Sequence, residues 1–310
     1  MNGIRCMFAL LLAGSLFARA DDETVTLPDL MQGAQQWAQD NLDTNFLNAL
    51  PEADEQQVQE FFGEMQRRFQ GDYVVDLAAL RQTAQTVLPL LDGSEQTQPY
   101  AAWLRAQMDY LDVADEIRIS IPPPNTATNA PPAPVPNPPA PREREIWVRQ
   151  VADRPWPDAA RKYVPELKPM FTAQRVPPEL VWVAEAESSF DRRARSPVGA
   201  AGMFQLMPDT AKRLGLSLWP RDERFQPGPS ATASAQYLKQ LHDRFGDWRL
   251  ALAAYNAGEG TVQKLLDRYQ TRNYDGIAAH LPAETQMFVP RVEAIILQRE
   301  GAKLEQLAAR

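Results

Sequence analysis

Apolar positions recur at helical spacing before the proline-rich middle of the chain. Leu27, Leu30, Ala34, Trp37 and Leu42 mark one amphipathic segment, and Val58, Phe61, Phe62, Met65 and Phe69 a second. Tyr73, Leu77, Leu80, Ala84, Val87, Leu88 and Leu91 mark a third; Tyr100, Trp103, Leu104, Met108 and Leu111 mark a fourth. Pro51, Gly71, Asp92-Gly93 and Pro99 punctuate them, which predicts a small helical bundle over residues 21–121 whose aromatics form its core. Residues 122–141 hold ten prolines and little that is apolar beyond alanine. Such a stretch favours polyproline II and spans about 60 Å at roughly 3.1 Å per residue. It reads as a spacer between two domains, the second covering 142–310.

Beyond the spacer the pattern is again helical. Lead-in helices over 146–170 are expected to break at Pro155, Pro157 and Pro165. Further helices are expected over 210–214, 233–245, 248–257, 262–269 and 283–299, with a proline-bearing loop over 216–229. Asn256 and Gly258 supply a helix stop, and Pro290 should kink or split the last helix. No internal repeat is evident.

Charge separates the two halves. Residues 21–121 carry 19 acids and 5 bases, whereas residues 122–310 carry 21 acids and 25 bases. A mildly basic half suits an anionic polymer and an acidic half repels one, although two ordinarily solvated surfaces read equally well. Neither half has the dense basic stripe with interleaved aromatics that nucleic acid calls for. The only cysteine is Cys6, so no disulfide is expected after removal of a leader. Residues 1–20 have the form of a secretory signal peptide: Arg5, an apolar run from Met7 to Phe17, then Ala18-Arg19-Ala20. The run is too short for a stable membrane span, and export to the periplasm or cell envelope is the expectation.

The chemistry concentrates in 176–208. Val176-Pro177-Pro178-Glu179 predicts a helix start, and an almost unbroken apolar run predicts that the helix is buried. Glu187 follows Leu180, Val183 and Ala184 by seven, four and three residues, so its side chain continues their stripe. Burial there raises a carboxyl's pKa, as a general acid working near neutral pH requires. Taken alone, such a glutamate is equally well a salt-bridged core residue. Glu185 faces about 200° away and reads as structural, and Asp191 reads as a turn residue. Two histidines, His242 and His280, are too few and too scattered for a metal cluster or a nucleophilic triad, so no metal or cofactor is expected. His242, beside Asp243, is expected to face solvent.

Four motifs carry a resemblance: Glu187-Ser188, Gly202-Met203-Phe204-Gln205-Leu206-Met207-Pro208, Ala254-Tyr255-Asn256-Ala257-Gly258 and Glu284-Thr285-Gln286-Met287-Phe288-Val289. In this order they resemble the lytic transglycosylases of the soluble murein transglycosylase (SLT) type. The resemblance implies a mainly α, lysozyme-like catalytic domain with a small hairpin or sheet around 200–206. It implies peptidoglycan glycan strands as substrate and Glu187 as the single acid, then base. Cleavage of the MurNAc–GlcNAc bond without water would leave 1,6-anhydro ends. It also implies that Ser188, Ser196, Gln205, Met207, Tyr255 and Asn256 contact substrate or orient the acid. Where family members often carry tyrosine this chain has Phe288, so a hydroxyl is missing. Glu284 reads as structural. The alternatives are a hydrolytic muramidase or a glycan-binding protein without turnover. The opposite charges of the two halves suggest that the N-terminal bundle docks on the catalytic half.

Overall fold

The structure is a computed structural model that describes residues 42–50, 55–120 and 137–307. The signal peptide, the first amphipathic segment apart from Leu42, and most of the proline-rich stretch lie outside the described residues. The described residues are mainly α, as the hydrophobic pattern predicts, and contain no extended strand.

The first half supplies α1 (Thr44–Ala49), α2 (Glu55–Phe69), a 3₁₀ segment (Val74–Leu80), α3 (Arg81–Asp92) and α4 (Gln98–Ser120). The predicted stripe of α2 is the buried one: Val58, Phe61, Phe62, Met65 and Phe69 are all in the core. The third amphipathic segment is two elements, the 3₁₀ segment running straight into α3 at Arg81. After the prolines come α5 (Ala140–Ala152) and α6 (Asp158–Ala173). α5 starts two residues inside the stretch assigned to the spacer, with Pro141 in its first turn, where no amide partner is lost. Pro155 and Pro157 separate α5 from α6, but Pro165 does not break the second helix, which continues through both Pro165 and Pro169.

A 3₁₀ segment (Pro178–Trp182) leads into the six-residue α7 (Val183–Ser188), so the expected single helix is two linked pieces. Then follow α8 (Pro208–Arg213), a 3₁₀ turn (Glu223–Phe225), α9 (Pro227–Phe245), α10 (Trp248–Ala257) and α11 (Glu259–Tyr269). α9 begins six residues before the predicted start, since Pro227 and Pro229 fall in a first turn whose amides need no helical partner. Gly258, at φ 85°, ends α10 as expected. The last long helix, α12 (Ala283–Glu300), passes through Pro290 unbroken; that residue is buried, and packing on all sides holds the helix where one hydrogen bond is missing.

α7 packs against α4 and α12, and α5 lies along α12. Helices from before and after the prolines share one apolar core. The aromatic rings make the join: Phe69 meets Tyr110 at 6.0 Å, and Tyr110 meets Trp147 edge-on at 5.7 Å. Backbone hydrogen bonds cross the same boundary, from Ala283 N to Gly71 O at 2.8 Å and from Arg195 N to Pro99 O at 3.1 Å. No described helix is long and apolar enough to cross a membrane.

Candidate active site

Glu187 occupies the last turn of α7, just before Ser189 and Phe190 take up left-handed backbone at φ 53° and 63°. That reversal turns the chain away, and Phe190 seats its ring edge-on against Trp182 at 5.5 Å. The side chain of Glu187 is partly buried. Burial drives its carboxyl well above the usual range, the Glu284 carboxyl pushes it further, and the Arg291 guanidinium opposes both.

Glu284, read from sequence as structural, is brought beside Glu187 by the first turn of α12. Burial raises it to about 7, against a lowering contribution from Asn256, whose Nδ2 donates to Glu284 Oε1 at 3.4 Å. Asn256 is itself fixed by Thr285, whose hydroxyl donates to Asn256 Oδ1 at 2.5 Å. The last motif thus contributes a second carboxyl. The signal was present in the sequence, but assigning it a role needed the packing of α12 on α7. Glu185, in contrast, faces away and forms a buried ion pair with Arg299 at 2.7 Å. Asp191 accepts the Arg193 amide in a turn, as its position suggests.

Tyr255 donates its hydroxyl to Phe204 O at 2.7 Å and lies 3.1 Å from Ser234 Oγ. Burial holds this phenol well above its ordinary value, and the nearby Glu187 charge adds to the effect. It joins α10 to the Gly202–Pro208 motif. Ser188 is buried, and its hydroxyl donates to Met203 O at 2.9 Å. That bond ties α7 to the loop. Ser196 is also buried, with Oγ accepting the Ala200 amide at 2.9 Å, so it closes the turn that precedes the motif.

Two isolated β-bridges, Arg195 to Ala201 and Ala201 to Leu206, stand where a hairpin or sheet was expected. The tight path explains the difference. Gly202 sits at φ 79°, and a Cβ there would lie 1.9 Å from Arg224 O. Gln205, at φ 45°, donates its amide to Gly202 O at 2.7 Å, while its buried Oε1 has no partner among the described residues. Met207 follows, 44 % exposed. Arg224, which sequence reasoning did not single out, pins this loop: Nη1 donates to Gly199 O at 2.8 Å and Leu206 O at 3.0 Å, and Asp222 holds the rest of the guanidinium.

One histidine expectation changes. His242 is not solvent-facing but partly buried, stacked on Trp248 at 3.9 Å. Among the described residues no cluster of His, Cys, Asp or Glu could hold a metal ion. A hollow lined by His242, Asp247, Trp248, Arg249, Glu305 and Leu307 contains none of the candidate residues.

The arrangement is therefore a mainly α domain in which two carboxyls with raised proton affinity meet beside a polar, tightly turned loop. Residues 168–277 match the family described as Transglycosylase SLT domain, a stretch that contains the first three of the four motifs, while the fourth, at 284–289, lies beyond it. The chain is 37 % identical over 126 residues to membrane-bound lytic murein transglycosylase D of Escherichia coli (strain K12), covering 39 % of this chain and 28 % of that protein. It is 34 % identical over 121 residues to the soluble lytic murein transglycosylase of Salmonella typhimurium, covering 36 % of this chain and 19 % of that one. The chain thus spans less than a third of the length of either relative. The crystal structure of the 70 kDa soluble lytic transglycosylase from Escherichia coli superposes loosely, with a TM-score of 0.41 and 17 % identity over 91 % of this chain and 45 % of that one.

Proposed function

We propose that this protein is a peptidoglycan lytic transglycosylase of the cell envelope, with Glu187 as acid and then base. The observation that carries the reading is the partly buried Glu187, whose proton affinity is raised by burial and by the Glu284 carboxyl, within the stretch that matches the SLT family. In the first step Glu187 gives its proton to the glycosidic oxygen between MurNAc and GlcNAc, and the bond from that oxygen to C1 breaks. In the second, the MurNAc C6 hydroxyl attacks C1 and returns its proton to the Glu187 carboxylate. A 1,6-anhydro end forms and no water is consumed. Tyr255 and Asn256 would hold the acid's surroundings, and Gln205 and the exposed Met207 would be the groups of the loop that meet sugar. Ser196 would act through the turn it closes.

Glu284 supports a second reading. A hydrolase with two carboxyls uses one as acid and the other to activate water, and Glu284, raised to about 7, has the chemistry for that partner role. A glycan-binding protein without turnover remains the non-enzymatic alternative, with Phe288, buried on α12, in place of the family's frequent tyrosine.

Replacing Glu187 by glutamine tests the assignment. The variant should keep its fold and lose peptidoglycan cleavage by roughly a hundredfold or more, the usual contribution of a positioned acid–base group. Cleavage at the wild-type rate would rule out Glu187.

A further inference from the structure

Glu284, Phe288 and Arg291 follow one another at spacings of four and three, so they share a face of α12. Two turns along from the carboxyl that flanks Glu187, a cation is therefore buried. Arg291 is 1 % exposed. Its Nη2 donates to Asp109 Oδ2 at 2.6 Å, while Nε and Nη1 have no hydrogen-bond partner among the described residues. Its plane lies over the Tyr110 ring at 4.8 Å and the Trp147 ring at 5.6 Å. Asp109 also accepts from Arg154 Nη2 at 2.9 Å. One carboxylate from α4 therefore answers two arginines from the second half of the chain.

We propose that Asp109 is a positioning residue of the reaction site: it pins the Arg291 guanidinium on the face of α12 that carries Glu284 and offsets its charge beside Glu187. On this account the helices before the proline-rich stretch complete the chemistry of the helices after it. The proposal rests on the reading of Glu187 as the acid. Facing Glu187 are Glu284 and Arg291 from α12, Tyr255 from α10 and Tyr110 from α4; facing Arg291 are Asp109, Tyr110, Glu185 and Glu187. In these surroundings a guanidinium without its counter-charge favours the ionised form of every nearby carboxyl. An acid that has already lost its proton cannot protonate a leaving oxygen. With Asp109 in place the cation is partly offset, yet near enough to support the carboxylate once Glu187 has given its proton up.

The test uses the full chain and two opposite substitutions. Arg291→Met leaves Asp109 paired with Arg154 and fills the site with an apolar chain. The alkaline limb of its pH–activity profile on purified peptidoglycan should move up by about half a pH unit or more. Asp109→Asn should move the same limb down by a similar amount, because Arg291 then acts on Glu187 unopposed. A purely structural role would lower activity equally at every pH, and an unmoved limb in folded variants overturns the proposal. If Asp109→Asn does not fold, Arg291→Met decides alone. NMR titration of isotope-labelled glutamate, with Glu187 assigned by the signal missing in Glu187→Gln, reads the same shifts without turnover. An absence of wild-type cleavage would therefore sink the enzymatic reading, while the titration would still decide whether Asp109 and Arg291 set the proton affinity of Glu187.

Discussion

Three glutamates show how environment sorts one residue type into different tasks. Glu185 is buried and meets Arg299 in a closed pair, the partly buried Glu187 has no such ion pair among the described residues, and Glu143 is buried in α5 with Oε1 unpartnered among them. Burial raises Glu143 from 4.5 to about 8, with the neighbouring Arg144 opposing. Its folded state thus binds a proton that the unfolded chain releases above 4.5, so this group's contribution to stability falls as pH rises from 4.5 through 8. The loss is at most about 1.4 kcal/mol per pH unit over that window. Glu143→Gln, which carries no charge at any pH, should flatten the fall; thermal melts of both proteins at pH 5 and pH 8 measure it. An identical pH dependence in the two would show that Glu143 titrates normally.

At the scale of elements, the loop around Gly202 holds the site's shape. A side chain at Gly202 meets the Arg224 carbonyl and must also tolerate left-handed backbone. Gly202→Ala should therefore cost about 2–4 kcal/mol, read from chemical denaturation. A change within the usual surface range of half a kcal/mol or so would mean that the loop moves aside easily. The same loop marks the limit of what a sequence can say. Its Gly-Met-Phe-Gln order and the acid on the preceding apolar stripe were legible, because both are local patterns. Arg224 was not, since its role is to bond carbonyls 18 and 25 residues back along the chain. The bond of Ser188 has no local signature either: a hydroxyl at the end of a helix can turn to either side, and only packing shows it donating to Met203 O. The helix that continues through Pro165 and the unsplit helix around Pro290 differ from a local reading because core packing outweighs one missing hydrogen bond.

The whole molecule joins an acidic N-terminal half to a mildly basic one through a shared core. Asp109 and Arg291 are 182 positions apart, so neither their pairing nor the nearness of Tyr110 to the acid has any local signature. A chain beginning at Ala140 would expose Trp147 and leave Arg291 without its carboxylate, exchanging a buried pair for a lone buried charge. Such a truncated protein should lose its sharp thermal transition and its activity together. Equal melting and equal cleavage in the full and truncated proteins would show that the second half stands alone. The central claim, non-hydrolytic cleavage by this chain, is met most directly by digesting purified peptidoglycan and weighing the released muropeptides by mass spectrometry. Products one water lighter than hydrolysis gives, with 1,6-anhydro ends, are the predicted result. Free reducing ends would contradict it and transfer the second carboxyl, Glu284, to the activation of water.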